Sequence, residues 1–299
     1  MTTLVLKFTA LFLSIIAGLF LHGVSVQIIN YSFFILVILS FINFIFIFDH
    51  NVSLKSPKLY NDLLINALVN FTLLPLLFLF LGSLFLRSQS LRYGLLISTM
   101  MPIALVVPTF AYKMKLNGLR IYTFLFSSLI ISPLFLLNYS HLFFTDYLSI
   151  SIIPIVKLYL SIFSIPLVII FILKKLDSKL LSFVRTHSNS LNLLFLCFLF
   201  FILSGNIYNK VYSSSTSPKD LITVLLLVCL YDFISYFSAL FIVKDDSRHI
   251  YALSFSLKNV ALGCGLLLFY DPYAAIVPAL NIIPHIFLFS YIGNRKSIV

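Results

Sequence analysis

Runs of about 20 apolar residues recur along this chain, separated by short polar joints. A helix needs about 20 such residues to cross about 30 Å of hydrocarbon. Ten stretches meet that need, at roughly 4–22, 28–48, 63–82, 93–112, 118–137, 150–173, 189–207, 220–243, 249–270 and 272–293. The joints leave no room for a soluble domain. The pattern predicts an all-α, polytopic membrane protein with one transmembrane domain over residues 1–299. The first run follows Lys7 as a signal peptide would, but no small-x-small pattern closes it and further spans follow. It is expected to be a retained first helix.

Composition agrees. Of 299 residues, 61% are hydrophobic and only 10% charged, against about 25% charged in soluble domains. Trp is absent, so the 16 Tyr residues supply any interfacial aromatic belt. The net charge of +11 could point to nucleic acid, but its placement points to membrane topology. With ten spans, the joints on the amino-terminal side hold Lys7, Lys55, Lys58, Lys113, Lys115, Arg120, Lys174, Lys175, Lys179, Arg185, Lys244, Arg248, Arg295 and Lys296. The other side holds only Arg87, Arg92, Lys210 and Lys219. This asymmetry predicts a cell (inner) membrane protein with both termini cytoplasmic. Cys197, Cys229 and Cys264 lie singly in apolar runs and read as small packing residues with no metal spacing.

Ten spans divide into two sets of five, repeat one over about 1–140 and repeat two over about 150–299. An odd number per half inverts the second half, as in many secondary transporters. Internal prolines mark expected breaks or kinks, because proline lacks a backbone donor and clashes with the preceding turn. Span 4 carries Pro102 and Pro108, with the break expected at Pro108 beside Thr109. Span 5 carries Ser132-Pro133 and span 10 carries Pro278 and Pro284. A helix broken inside the bilayer bares backbone groups that must line a cavity or meet a ligand.

Several segments resemble the bile acid:sodium symporter family. Asn70-Phe71-Thr72-Leu73-Leu74-Pro75 is similar to its third helix, where a Gln-Phe pair precedes a proline at this interval. Val107 through Pro133-Leu134 resembles its broken fourth helix and its fifth, with Tyr112, Asn117 and Ser132-Pro133-Leu134 on matching positions. Lys258-Asn259-Val260-Ala261-Leu262 is similar to its Gln-Asn-x-x-Leu signature. Asp271-Pro272-Tyr273-Ala274-Ala275-Ile276-Val277-Pro278 resembles the opening of its last helix. The resemblance covers about half the chain. It implies a ten-helix 5+5 inverted repeat with core and panel domains, helices 4 and 9 being broken and crossing near mid-membrane. The arsenite exporters and auxin-efflux-type carriers share this plan.

The departures bear on coupling. Where sodium-coupled members offer a Ser-Asn pair and then hydroxyls, this chain has Val107, Pro108, Ile121 and Leu125. The acidic ligand of the ninth helix falls on Ser254, and the signature glutamine on Lys258. Most of these side chains cannot supply the oxygen cage that sodium needs. The resemblance implies the architecture more firmly than sodium coupling.

An ionisable group at the bilayer centre costs a few kcal/mol and marks a functional site by default. Lys258 lies nine residues into span 9, about 14 Å along a helix axis, and Asp232 lies at similar depth in span 8. Three readings stand open. Lys258 and Asp232 form a fixed ion pair; or Lys258 is functional, either standing in for a coupling sodium ion and meeting an anionic substrate directly or exchanging Asp232 for substrate or proton; or the lysine reaches a water-filled vestibule. Asn259 and Asn70 can donate and accept hydrogen bonds and suit a polar cavity; with Lys258, Pro108 and Thr109 they are the expected substrate-binding residues. His285, after Pro284, is either a proton carrier or a helix–helix hydrogen-bond partner. Lys157 is placed to snorkel outward.

The sequence has no GxxxxGK phosphate loop, no HExxH, no GxSxG and no paired intramembrane aspartates. No enzyme activity and no cofactor are expected. The expected function is secondary transport of a small organic anion, coupled to a proton or to sodium. The rivals are a proton-coupled or uncoupled exporter of the auxin-efflux or arsenite type, and a non-transporting membrane subunit of the same fold.

Overall fold

The computed structural model describes residues 2–45, 59–104, 107–108, 116, 118–145, 152–176, 179–213, 217–243, 248–285 and 287–288. Among them the chain is almost entirely helical and holds no strand beyond one isolated bridge. In order come α1 (Thr2–Phe20), α2 (His22–Gln27), α3 (Tyr31–Phe44), α4 (Leu59–Ile65), a π-wound segment (Asn66–Leu73) and α5 (Leu74–Phe85). Then follow α6 (Gln89–Met100), α7 (Gly118–Phe144), α8 (Ile152–Lys175), α9 (Lys179–Ser213), α10 (Pro218–Ile242), α11 (Arg248–Ser256), α12 (Val260–Tyr270) and α13 (Ile276–Leu280).

Five helical stretches are long and apolar enough to cross a membrane: Tyr60–Phe85, Arg120–Phe144, Lys157–Lys175, Ser190–Asn209 and Pro218–Ile242. Shorter apolar helices cover Thr9–Phe20, Tyr31–Phe44 and Ile276–His285. Large side chains such as Phe20, Phe80, Phe171 and Phe241 stand exposed on the outside. Apolar patches of that extent need a partner or lipid to cover them.

Packing sorts the helices into two groups. α1, α2, α3, α8 and α9 pack mainly on one another, whereas α4 to α7 pack with α10 to α13. In the first group α1 and α9 approach closely through glycines. A Cβ on Gly205 would lie 2.6 Å from the Gly18 carbonyl oxygen, so only a hydrogen fits there. Small residues at such crossings let membrane helices gain contact without a hydrophobic drive between them.

The prolines act differently from their sequence reading. Pro133 lies inside an unbroken α7, and Pro166 inside α8. The break in span 4 falls at Pro102. Pro108 is buried in chain that is already helical again at 107–108. Pro75 shapes the turns before it. Its ring would meet the carbonyl four residues back, and it has no N–H to donate. The preceding turns are wound wider: Leu74 N donates to Val69 O, and Thr72 Oγ1 donates to Ala67 O at 3.0 Å. Such π-wound insertions are rare and collect at functional sites.

Candidate functional site

α6 stops at Met100 for a local reason. Met101 precedes Pro102, which pushes it out of the helical region, and it sits at φ −59°, ψ 146°. No proline sits at the break between α11 and α12, where Leu257-Lys258-Asn259 runs out of helix. That break rests on tertiary pairing. Ala104 N donates to Leu257 O at 2.8 Å, and Asn259 N donates to Pro102 O at 2.8 Å. Ile103 and Lys258 thus face each other in an antiparallel bridge. Two interrupted helices exchange backbone hydrogen bonds inside the protein. Asn259 then starts α12 as its N-cap, its side chain accepting from Leu262 N at 3.1 Å.

Side chains from neighbouring helices take up the remaining backbone groups. Ser132 Oγ donates to Met100 O at 2.5 Å, and Ile103 N donates to Ser128 Oγ at 3.2 Å. Tyr159 OH lies 3.2 Å from Ser132 Oγ. Tyr231 OH lies 3.5 Å from Thr99 O and 3.4 Å from Phe255 O, so one phenol faces carbonyls from both broken helices. Unmet backbone groups are costly away from water, and these hydroxyls meet them.

Lys258 is 1% exposed. Its Nζ donates to Asn70 Oδ1 at 2.6 Å and lies 4.7 Å from the centre of the Phe71 ring. Asn70 Nδ2 donates to Asn66 Oδ1 at 2.9 Å, Asn66 Nδ2 to Ser127 Oγ at 2.8 Å, and Ser127 Oγ to Phe124 O at 3.1 Å. Every donor in this chain points away from the lysine, so the positive charge polarises a line of neutral dipoles. None of these partners is an anion. One hydrogen bond to a charged group contributes about 1.5–3 kcal/mol, and a desolvated cation–π contact about 2. Together they only match the several kcal/mol that burying an ammonium costs.

Asp232, 1% exposed, faces His285 instead of Lys258. His285 Nε2 lies 3.3 Å from Asp232 Oδ2 and 3.1 Å from Ser256 O. Neither carboxylate oxygen has a hydrogen bond of good geometry. Lys258 acts on Asp232 through its field, without direct contact. The fixed Lys258–Asp232 pair is therefore replaced by two separate contacts, Lys258 with Asn70 and Asp232 with His285. Ser254 Oγ and Asn281 Oδ1 are further buried oxygens without a partner, on α11 and just after α13. Thr109, Tyr112 and Asn117 lie outside the described residues.

The sequence reading missed a second buried polar group. Asp62, 2% exposed, pairs with Arg120 Nε at 3.1 Å and accepts a hydrogen bond from Tyr251 OH. By sequence alone Arg120 falls in a joint. The signal was present: Asp62, Asn66 and Asn70 recur every four residues in an otherwise apolar run, which puts them on one helical face. That face carries polar groups from the α4 end down to the crossing. Removing Arg120 would leave a buried carboxylate unpaired. Arg120→Gln should lower stability by about 3–5 kcal/mol, read as a lower melting temperature in detergent. The double variant Asp62→Asn/Arg120→Gln should recover most of it. A double-variant loss equal to the sum of the two single losses would show that the pair does not interact.

The positions that the family resemblance assigns to sodium do not fit that ion. Val107, Ile121 and Leu125 are buried hydrocarbons, Pro108 has no side-chain oxygen, and Lys258 brings a like charge.

Long apolar helices around a polar, cation-bearing crossing define the class as a helical membrane protein. No family model matches the chain, and no curated protein matches its sequence.

Proposed function

We propose that this protein is a secondary transporter of a small organic anion, with the ten-helix inverted-repeat plan of the bile acid:sodium symporter-like carriers. The carrying observation is Lys258, an ammonium group buried where two interrupted helices meet, whose direct contacts among the described residues are neutral. A buried charge without a counter-charge in contact is costly, and an anionic ligand would supply one in contact. Two further findings support the plan. The interruptions fall in the fourth and ninth expected spans, equivalent places in two halves of five. The packing separates the first two spans of each half from the last three, as a panel and a core would be separated.

In this reading the anion binds between core and panel, beside the crossing, and is held by Lys258 with Asn70 behind it. Asn259 and the residues near Pro102 fix the backbone there. Pro108 belongs to the wall on the first half's side. Access alternates by movement of one group of helices against the other. The protein lies in the cell membrane with both termini cytoplasmic, as the basic joints require.

Vesicle uptake tests this. Proteoliposomes of the full chain, given pyruvate, benzoate, methanesulfonate or cholate, should take up at least one of them equally well with a sodium and with a potassium gradient. Strict sodium dependence would reject the sodium-free form of the reading. No uptake or counterflow of any of the four would favour the non-transporting subunit, a rival consistent with the near-complete burial of Lys258, Asn70 and Ser254.

A further inference from the structure

Asp232 and His285 are left over once Lys258 has been assigned to the anion. They lie on α10 and in the helical stretch that follows α13, at 282–285. His285 Nε2 faces two acceptors, Ser256 O at 3.1 Å and Asp232 Oδ2 at 3.3 Å. A carbonyl cannot donate, so Nε2 carries the hydrogen in this arrangement. Asp232, 1% exposed, then has Oδ1 with no partner among the described residues. A carboxylate in that setting has room to take a proton. The titratable or charged groups whose fields reach it are Lys258 and His285 from other elements, and Cys229 and Tyr231 from its own helix.

Among the described groups at the crossing, Lys258 brings one positive charge and Asp232, which it reaches only through its field, one negative. An anion bound at Lys258 upsets that balance and leaves the interior with a net negative charge. In a low-dielectric interior such an imbalance is expensive. One proton taken up by the Asp232–His285 pair restores neutrality.

We propose that Asp232 and His285 form a proton site that fills when an anion binds at Lys258, so that each monovalent anion crosses with one proton. The proton comes from the compartment that supplies the anion and leaves with it on the other side. No covalent bond other than the O–H or N–H bond changes. Coupling between two sites is reciprocal. Bound anion strengthens proton binding, and acid strengthens anion binding. Across the linked range, anion affinity should fall tenfold for each unit rise in pH. This inference rests on the carrier reading.

The test uses proteoliposomes of the full chain loaded with the pH dye pyranine and offered pyruvate, benzoate, methanesulfonate and cholate in turn. For any anion taken up, the interior should acidify by one proton per anion. An inside-alkaline gradient should drive accumulation, and Asp232→Asn should lose at least nine-tenths of the proton movement per anion carried. Uptake without protons, or full proton movement in Asp232→Asn, would overturn the proposal. If Asp232→Asn does not fold, infrared difference spectra of the wild-type protein decide. Adding the transported anion should raise a protonated-carboxyl band or an imidazolium band, and the absence of both would overturn the proposal. Failure of all four anions to move would instead refute the carrier reading, which separates the two ideas.

Discussion

Lys258→Met is expected to abolish anion uptake while the protein stays folded in the membrane. Truncating one partner of a buried, hydrogen-bonded charge pair costs about 2–5 kcal/mol of binding, roughly a 30-fold to several-thousand-fold loss. Met keeps much of the lysine's length and apolar volume but carries no charge. The folded state would no longer hold an ammonium among neutral groups, so stability should hold or rise. The measurements are uptake by proteoliposomes and the melting temperature of the purified protein in detergent. Uptake at the wild-type rate would remove Lys258 from the substrate site. A folded, inactive variant would separate the functional role of this lysine from a structural one.

The second large effect concerns the lysine's neutral partner. Asn70→Leu should destabilise the protein by about 3–5 kcal/mol, because it takes from the buried ammonium its one hydrogen-bond acceptor among the described residues. It also strands Asn66, whose Oδ1 accepts from Asn70. Adding Lys258→Met to Asn70→Leu should recover most of the loss, because the charge is then gone. A double-mutant cycle measures that coupling. Asp232→Asn combined with Lys258→Met should show a smaller coupling, since the two groups interact only through their fields. A larger coupling with Asp232 than with Asn70 would mean that the ammonium spends its time beside the carboxylate.

Much of the site was legible because the membrane makes polar residues conspicuous. Lys258, Asp232, Asn70 and His285 stood out as polar groups within apolar runs. Asn259 was singled out for substrate contact, and the structure uses its side chain as a helix cap. The Asp62–Arg120–Tyr251 group was missed because Asp62 and Arg120 lie near the ends of their spans, where charge reads as belonging to a joint. Burial there depends on which helices pack over the ends. Asn66 was missed for another reason. A single amide in a span is unremarkable until its fourth-residue repeat with Asp62 and Asn70 is set against the facing helix.

The sequence by itself determined the solvent of this protein and where the chain runs as helix. Those properties follow from apolar run length and from the need to satisfy every backbone group within the bilayer. It also determined the first break, because Pro102 withholds an N–H and displaces Met101. Only the tertiary structure decided the second break. Leu257 to Asn259 leave the helix because Pro102 and Ala104 offer them hydrogen-bond partners across the crossing. The partners of the buried charges were likewise decided there. Which neutral or acidic group an ammonium meets depends on helix rotation and crossing, and neither is written in the order of residues along one strand of chain.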